Sequence, residues 1–274
     1  MIHDAHGWWL RDAGPVEPAP APALEGDRLA DVVIVGGGYA GMWTAWLIRE
    51  AAPDARVALV ERDLCGHGPS GRNGGFANSM WFSLASMRRR FGDVGALRVA
   101  RAAQAAVDEI GEWCKAQGVD AWYRRGGYLQ ISTAPAFDHV WDATVLSCAQ
   151  LGEADAVEPL GPERIRERCD SPLFRAGAFF PGSATVNPAL LALGLRAKLI
   201  EAGVDVFERS PVTALATGGD GVIVRTAGGA VRAGHAVLAA GGAQAAIRPL
   251  RRRLTLTSSH MVITEPVPDV LEQI

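Results

Sequence analysis

The chain reads as an α/β protein, a doubly wound parallel sheet with a second domain inserted into it. Three observations carry that expectation. Two unbroken apolar runs, Val32–Val35 and Val57–Val60, flank a helical stretch at 39–51, the pattern of a βαβ unit whose strands are buried on both faces. Elements of the two types alternate along the remainder, without an internal repeat. The composition is that of a folded globular protein, with 274 residues, 49% hydrophobic, 21% charged, 32 Gly and 16 Pro; disordered, collagen-like and disulfide-scaffold classes are excluded.

Taken in order, residues 1–14 are expected to be irregular, and the Pro/Ala-rich run 15–24 to be extended. Trp8 and Trp9 are too apolar for a solvated tail, so this arm should pack onto the body. After the βαβ unit, 94–117 is helical, with Val99, Ala103, Ala106, Ile110 and Trp113 as its apolar stripe and Gly118 as its stop. Tyr128–Ile131 reads as a strand and 135–150 as a helix. Asn187-Pro188 opens a helix at 189–202 that Gly203 closes, followed by strand-like runs Val204–Phe207, Val222–Arg225, Ala236–Ala239 and Met261–Thr264.

A net charge of −3 gives no attraction to nucleic acid or anionic lipid, so neither is expected as a partner. No apolar run reaches the roughly 18–20 residues of a transmembrane helix. The start, Met-Ile-His-Asp-Ala-His, lacks the basic and apolar regions of a signal peptide. The four cysteines (Cys65, Cys114, Cys148, Cys169) form no C-x-x-C pair, so a bound metal is not expected and a reducing, cytoplasmic location is.

The first chemical signal is Gly36-Gly37-Gly38-Tyr39-Ala40-Gly41, a G-x-G-x-x-G run between strand and helix. Gly36 permits the tight turn, Gly38 lets the backbone reach a pyrophosphate, and Gly41 with Ala45 lets helix and strand approach closely. The helix N-terminus offers its amides and positive dipole end to phosphate. Glu61 ends the next strand, twenty residues after Gly41, where a carboxylate accepts from ribose hydroxyls and repels a 2′-phosphate. This is the pattern of an adenine dinucleotide site.

The second signal is Gly-His-Gly-Pro-Ser-Gly-Arg-Asn-Gly-Gly-Phe at 66–76. A loop so rich in accessible amides suits a dinucleotide that runs further across the sheet than NAD does. Together, Gly36–Gly41, Glu61-Arg62 and Ser70-Gly71-Arg72-Asn73-Gly74-Gly75 resemble the FAD-dependent D-amino acid oxidase superfamily, which includes glycine and sarcosine oxidases. The Ser-Gly-Arg-Asn-Gly-Gly form and the upstream Leu24-Glu25-Gly26-Asp27 are most similar to the γ-glutamylputrescine oxidoreductase branch. The resemblance spans 8–274 and is most specific at 31–76.

It implies a Rossmann-like FAD-binding domain of the glutathione-reductase type with an inserted, incomplete α+β substrate domain. The expected division is an arm at 1–30, an FAD-binding domain at 31–90 and 185–250, and a partial substrate domain at 91–184 and 251–274. Val212 falls where the family's backbone meets the adenine, and Ala240 and Gly241 where a turn closes over the dinucleotide. The implied chemistry is oxidation of a C–N bond in a small amine or amino acid by hydride transfer to flavin N5, with O₂ or another acceptor reoxidising the flavin. Alternatives are a non-catalytic FAD- or dinucleotide-binding fragment and an NAD-dependent dehydrogenase; the 66–76 loop argues against the latter.

Cys65 and His67 lie near the loop where some relatives attach flavin covalently, but neither sits in an attachment motif, and FAD is expected to be non-covalent. Family members continue well past this length, so the chain is expected to be C-terminally truncated, with its catalytic residues unassigned. Arg88–Arg90 and Arg251–Arg253 are expected to be solvated, Trp43 and Trp46 to pack against the sheet, and His260 to be a hydrogen-bonded histidine. Trp81 and Phe82 are weighed as lining for the substrate side of the ring.

Overall fold

The computed structural model describes residues 7–12, 19–219, 221–259 and 262–271. Along the chain the strands are β1 (Gly26–Val35), β2 (Val57–Val60), β3 (Phe76–Ala77), β4 (Tyr128–Ser132), β5 (Glu158–Leu160), β6 (Ala176–Phe180), β7 (Ala184–Thr185), β8 (Asp205–Phe207), β9 (Ala214–Gly218), β10 (Gly221–Arg225) and β11 (Gly229–Leu238). The helices are α1 (Trp8–Asp12), α2 (Tyr39–Ala51), α3 (Leu84–Gln117), α4 (Asp142–Gln150), α5 (Pro162–Arg166), α6 (Pro188–Glu201), α7 (Arg248–Arg251) and α8 (Pro268–Leu271). They form two compact units.

The first unit comprises Met1–Gly74, Gln117–Ala121 and Asn187–Ser259. Its six-stranded sheet runs β8-β2-β1-β11-β10-β9. The pairs β8–β2, β2–β1 and β1–β11 are parallel, whereas β11–β10 and β10–β9 are antiparallel. The apolar runs of β1 and β2 are buried on both faces, as the absence of polar alternation requires. On one face Val33, Ala58 and Val60 join Leu24, Phe207 and Val231 in a single cluster. On the other, Ile34 pairs with Leu59 and meets α2 at Gly41. Val33, Ile34 and Leu59 are each 0% exposed, and burying such a side chain is worth about 1.5–3 kcal/mol.

Helix α6 begins where sequence chemistry demands it. Asn187 Oδ1 accepts from the Ala189 and Leu190 amides at 3.0 and 3.1 Å, and Pro188 occupies the first helical position. Gly203, at φ +78°, follows its end.

The second unit comprises Gly75–Ala116, Trp122–Val186 and His260–Ile274. Its three-stranded antiparallel sheet runs β4-β6-β5, and β3 pairs with β7. Phe82, Tyr128 and Phe180 pack ring to ring, with centroids 5.5–6.3 Å apart, within a core that also holds Trp81, Leu84 and Trp141. The units divide at Gly74 and Ser259, where the sequence expectation set 90 and 250.

Several expectations are corrected. Trp8–Asp12 is a short helix rather than irregular. Helix α3 begins at Leu84 and kinks at Gly92, whose φ of +69° and ψ of 177° are not helical. Its buried stripe is Ala96, Ala100, Val107, Trp113 and Cys114, so the expected stripe was misphased by about one residue at its start: Val99 is 41% exposed. Alanines on both faces of this helix blur the apolar moment. The stretch 135–150 is a 3₁₀ turn at Pro135–Phe137 followed by α4. Strands β5, β6 and β9 were not foreseen. Val262–Thr264 are not a strand, and Met261 and His260 lie outside the described residues, as do 1–6 and 13–18 of the expected arm. Among the described residues no helix is long and apolar enough to cross a membrane, and no group of His, Cys, Asp and Glu is arranged to hold a metal ion.

Candidate functional site

The parallel neighbours β2, β1 and β11 deliver three segments side by side at their carboxyl ends. The glycine turn follows β1, the Glu61–Gly74 segment follows β2, and Ala239–Gly242 follows β11. Open parallel sheets bind ligands at this end.

The turn is tight enough that glycine is obligatory at two positions. Gly36 has φ +112°, and a Cβ there would lie 2.6 Å from the Ala239 carbonyl oxygen and 3.0 Å from the Ala240 amide nitrogen. That approach sets Ala239 and Ala240 against the turn, with Gly241 next in the chain. A Cβ on Gly41 would drive into the Gly36 carbonyl oxygen. Gly38 caps the 13-residue α2 in an extended conformation without a capping side chain. The Tyr39 amide donates to Ser70 Oγ at 2.9 Å, while the first-turn amides of Ala40 and Gly41 have no acceptor within the helix, by helix geometry. A hydroxyl that accepts from Tyr39 keeps its own proton to donate. Backbone amides, a hydroxyl donor and the positive end of the helix therefore converge on one point, the donor set an anionic diphosphate needs.

Glu61 is anchored beside it. Its Oε2 accepts from the Gly37 amide at 2.7 Å and its Oε1 from the Asp63 amide at 2.9 Å. Each carboxylate oxygen retains a further lone pair, so the group can still accept from two hydroxyls. The Glu61 carbonyl accepts from the Ser210 amide at 2.8 Å, which brings the segment leading to Val212 alongside the end of β2; Val212 itself is half-buried against the sheet core. Arg62 is exposed.

The 66–75 loop is self-braced. Gly66, at φ +83°, packs on Ala192 of α6, and its amide donates to the Gly37 carbonyl at 2.9 Å. A Cβ on Gly71 would strike the Gly66 carbonyl oxygen. The Arg72 and Asn73 side chains brace the loop: Arg72 Nε donates to the Gly68 carbonyl at 3.3 Å, and Asn73 Nδ2 to the Ser70 carbonyl at 2.8 Å. Gly74 ends the first unit, and Gly75, at φ +74°, opens the second, its carbonyl accepting from the Val186 amide at 2.9 Å.

The structure thus brings Gly36, Gly38, Tyr39, Ala40, Gly41, Glu61, Ser70, Ala240 and Gly241 to one end of one sheet, with Gly71, Arg72 and Asn73 shaping the loop beside them. These residues fit an adenine dinucleotide. Trp81 is 4% exposed within the core of the second unit, where Phe82 also packs. Burial first, then the charges of Glu208 and Glu61, pushes the Cys65 thiol far above its ordinary range, so it carries no thiolate nucleophile at neutral pH. His67 is buried, 5% exposed.

Sequence reasoning missed a buried ion pair behind the site. Arg196 on α6 and Glu208 after β8 meet in a two-pronged pair, Nε to Oε1 and Nη2 to Oε2, both 2.7 Å. Their side chains are 6% and 0% exposed. Burial alone would raise the Glu208 carboxyl; hydrogen bonds from Arg196, Cys65 and Ala21 outweigh it and hold the group below its ordinary range. The signal was present, since Arg196 is a cation in the otherwise apolar first part of a helix, Pro-Ala-Leu-Leu-Ala-Leu-Gly-Leu-Arg.

Comparison with known proteins agrees with this geometry. The family model described as FAD dependent oxidoreductase (DAO) matches residues 31–274. A probable oxidoreductase, OrdL, of Rhizobium meliloti is 24% identical over 255 residues, covering 93% of this chain and 57% of its own length. Gamma-glutamylputrescine oxidoreductase of Escherichia coli is 28% identical over 228 residues, covering 81% of this chain and 51% of its own. Among solved structures, glycine oxidase from Geobacillus kaustophilus superposes with a TM-score of 0.67 at 23% identity, over 83% of this chain and 59% of that one. The chain thus spans about half the length of the relatives it matches.

Proposed function

The chain belongs to the DAO family of FAD dependent oxidoreductases, and from that premise we propose that it is the dinucleotide-binding part of an enzyme oxidising the C–N bond of a small amine or amino acid. FAD, when bound, supplies the two-electron acceptor, which O₂ or another oxidant then regenerates. The residues of this chain bind and orient. Ala40, Gly41 and Ser70 hold the pyrophosphate at the α2 N-terminus, Glu61 takes the adenosine ribose, and Val212 borders the adenine. Ala240 and Gly241 close the turn beside Gly36, and Gly71–Gly75 carry the loop toward the flavin end.

The observation that supports this reading best is the meeting of three loops. Gly36 abuts Ala239–Ala240, Glu61 bonds to Gly37, and Ser70 bonds to Tyr39. Two observations support non-covalent attachment: the buried Cys65 thiol is held protonated, and neither Cys65 nor His67 sits in an attachment motif. The amine or amino-acid class rests on the Ser-Gly-Arg-Asn-Gly-Gly motif and on the relatives named above.

The test is a visible absorption spectrum of the purified chain, with and without added FAD, before and after acid precipitation. A two-banded flavin spectrum whose colour leaves with the supernatant is expected. Colour retained in the pellet overturns the non-covalent assignment, and a chain that stays colourless in excess FAD overturns the cofactor site. A screen of amines and amino acids for peroxide release or dye reduction then addresses the substrate class.

A further inference from the structure

The family match starts at residue 31, yet the described residues before it reach the dinucleotide loop at both ends, through Glu208 at one and by direct contact at the other. At one end, the Arg196–Glu208 pair clasps the arm. Glu208 Oε2 accepts from the Ala21 amide at 2.7 Å, and Arg196 Nη2 donates to the Ala19 carbonyl at 3.0 Å. The same carboxylate accepts, through Oε1, from the amide of Cys65, the residue before the loop, at 2.8 Å. Ser210 Oγ extends the clasp, accepting from the Leu24 amide and donating to the Glu208 carbonyl, both at 2.8 Å. At the other end, Trp9 Nε1 donates to the Asn73 carbonyl at 2.9 Å. Leu10 of the same helix lies 3.5 Å from where a Cβ on Gly71 would stand.

We propose that this N-terminal arm, Trp8–Asp12 together with Ala19–Leu24, is a positioning element of the dinucleotide site, clipping the Cys65–Asn73 segment at both ends through Glu208–Arg196 and through Trp9. A loop containing Gly66, Gly68 and Gly71 loses more backbone freedom on ordering than one of its length without glycine. Bracing it in advance removes that cost from the binding step. The inference rests on the FAD reading above and adds that the arm and the cofactor are thermodynamically coupled, each strengthening the other's hold.

The experiment uses the whole chain, with FAD as the probe. Flavin fluorescence gives the Kd, and amide hydrogen exchange at Ala21 and Leu24 is followed with and without FAD. Saturating FAD should slow exchange at both amides by about fivefold or more, by reciprocity. Trp9→Phe keeps the ring but loses the indole N–H, and should weaken FAD by about three- to tenfold, the worth of one hydrogen bond, without lowering the Tm of the FAD-free protein. Arg196→Met should weaken FAD at least as much, and Arg196→Lys should restore part of the affinity. A purely structural pair would lower the FAD-free Tm and leave both the Kd and the FAD dependence of exchange unchanged; that result overturns the proposal. Should Arg196→Met fail to fold, Trp9→Phe and the exchange measurement decide alone. A wild-type chain that binds no FAD overturns the cofactor site itself, and this inference with it.

Discussion

At the scale of single residues, the buried pair behind the site is a sensitive point of the first unit. Arg196→Met strands the Glu208 carboxylate, 0% exposed, without its partner; breaking such a pair costs about 3–5 kcal/mol. Urea unfolding should register that loss, and Glu208→Gln added to Arg196→Met should recover part of it. The carboxyl of Glu208 is held below its ordinary range, so its contribution to stability is complete above the unfolded value of about 4.3 and is lost as the pH falls through the lower folded value. A pH series of unfolding midpoints should show wild type losing stability below that point more steeply than Arg196→Met/Glu208→Gln. Glu61 is sensitive in function instead: Glu61→Gln exchanges a charged acceptor for a neutral one and should weaken FAD by about 10- to 100-fold, measured by equilibrium dialysis. Glu61 was legible in the sequence because its spacing from Gly41 follows from the length of one βαβ unit. Glu208 was not, because its partners come from Ala21, Cys65 and Arg196, segments brought together only by the sheet.

At the scale of elements, α3 shows where periodicity misleads. Its kink at Gly92 sits at φ +69° and ψ 177°, a region open essentially to glycine alone. Apart from its own neighbours in the chain, nothing lies within 4 Å of a Cβ built there, so Gly92→Ala isolates the backbone term and should cost about 1–3 kcal/mol, read as a fall in thermal midpoint. Straightening of the helix without loss of stability would contradict this. The strands β1 and β2 were legible because a strand buried on both faces needs an unbroken apolar run. Strand β9 was not: all five of its residues are exposed, and it is held by pairing to β10 rather than by burial. The true phase of α3 was hidden for the opposite reason, since alanine is compatible with either face.

At the scale of the molecule, the two compact units place the glycine turn, Glu61 and Ser70 in the first. A ligand that binds only the folded state stabilises it by about 2.7 kcal/mol at one hundred times its Kd. Titrating FAD into a thermal unfolding experiment should therefore raise the midpoint of the transition reporting the first unit, in a concentration-dependent way; ADP, which carries the adenosine and diphosphate alone, should do so more weakly. A midpoint indifferent to FAD would contradict the site.

What the sequence determined by itself was everything carried by local spacing. The βαβ unit, the glycine turn, the acid at the end of the second strand and the polar glycine-rich loop are each written in consecutive residues, because a strand, a tight turn and a helix cap are short-range solutions to backbone hydrogen bonding and sterics. Only the tertiary structure decided which distant segments complete them. Ala239 and Ala240 against Gly36, Arg196 against Glu208, and the N-terminal arm against the loop are pairings between residues far apart in the chain, and no periodicity encodes them. They exist because the parallel order β8-β2-β1-β11 gathers the carboxyl ends of those strands into one place, where buried amides and charges must find partners or go unsatisfied.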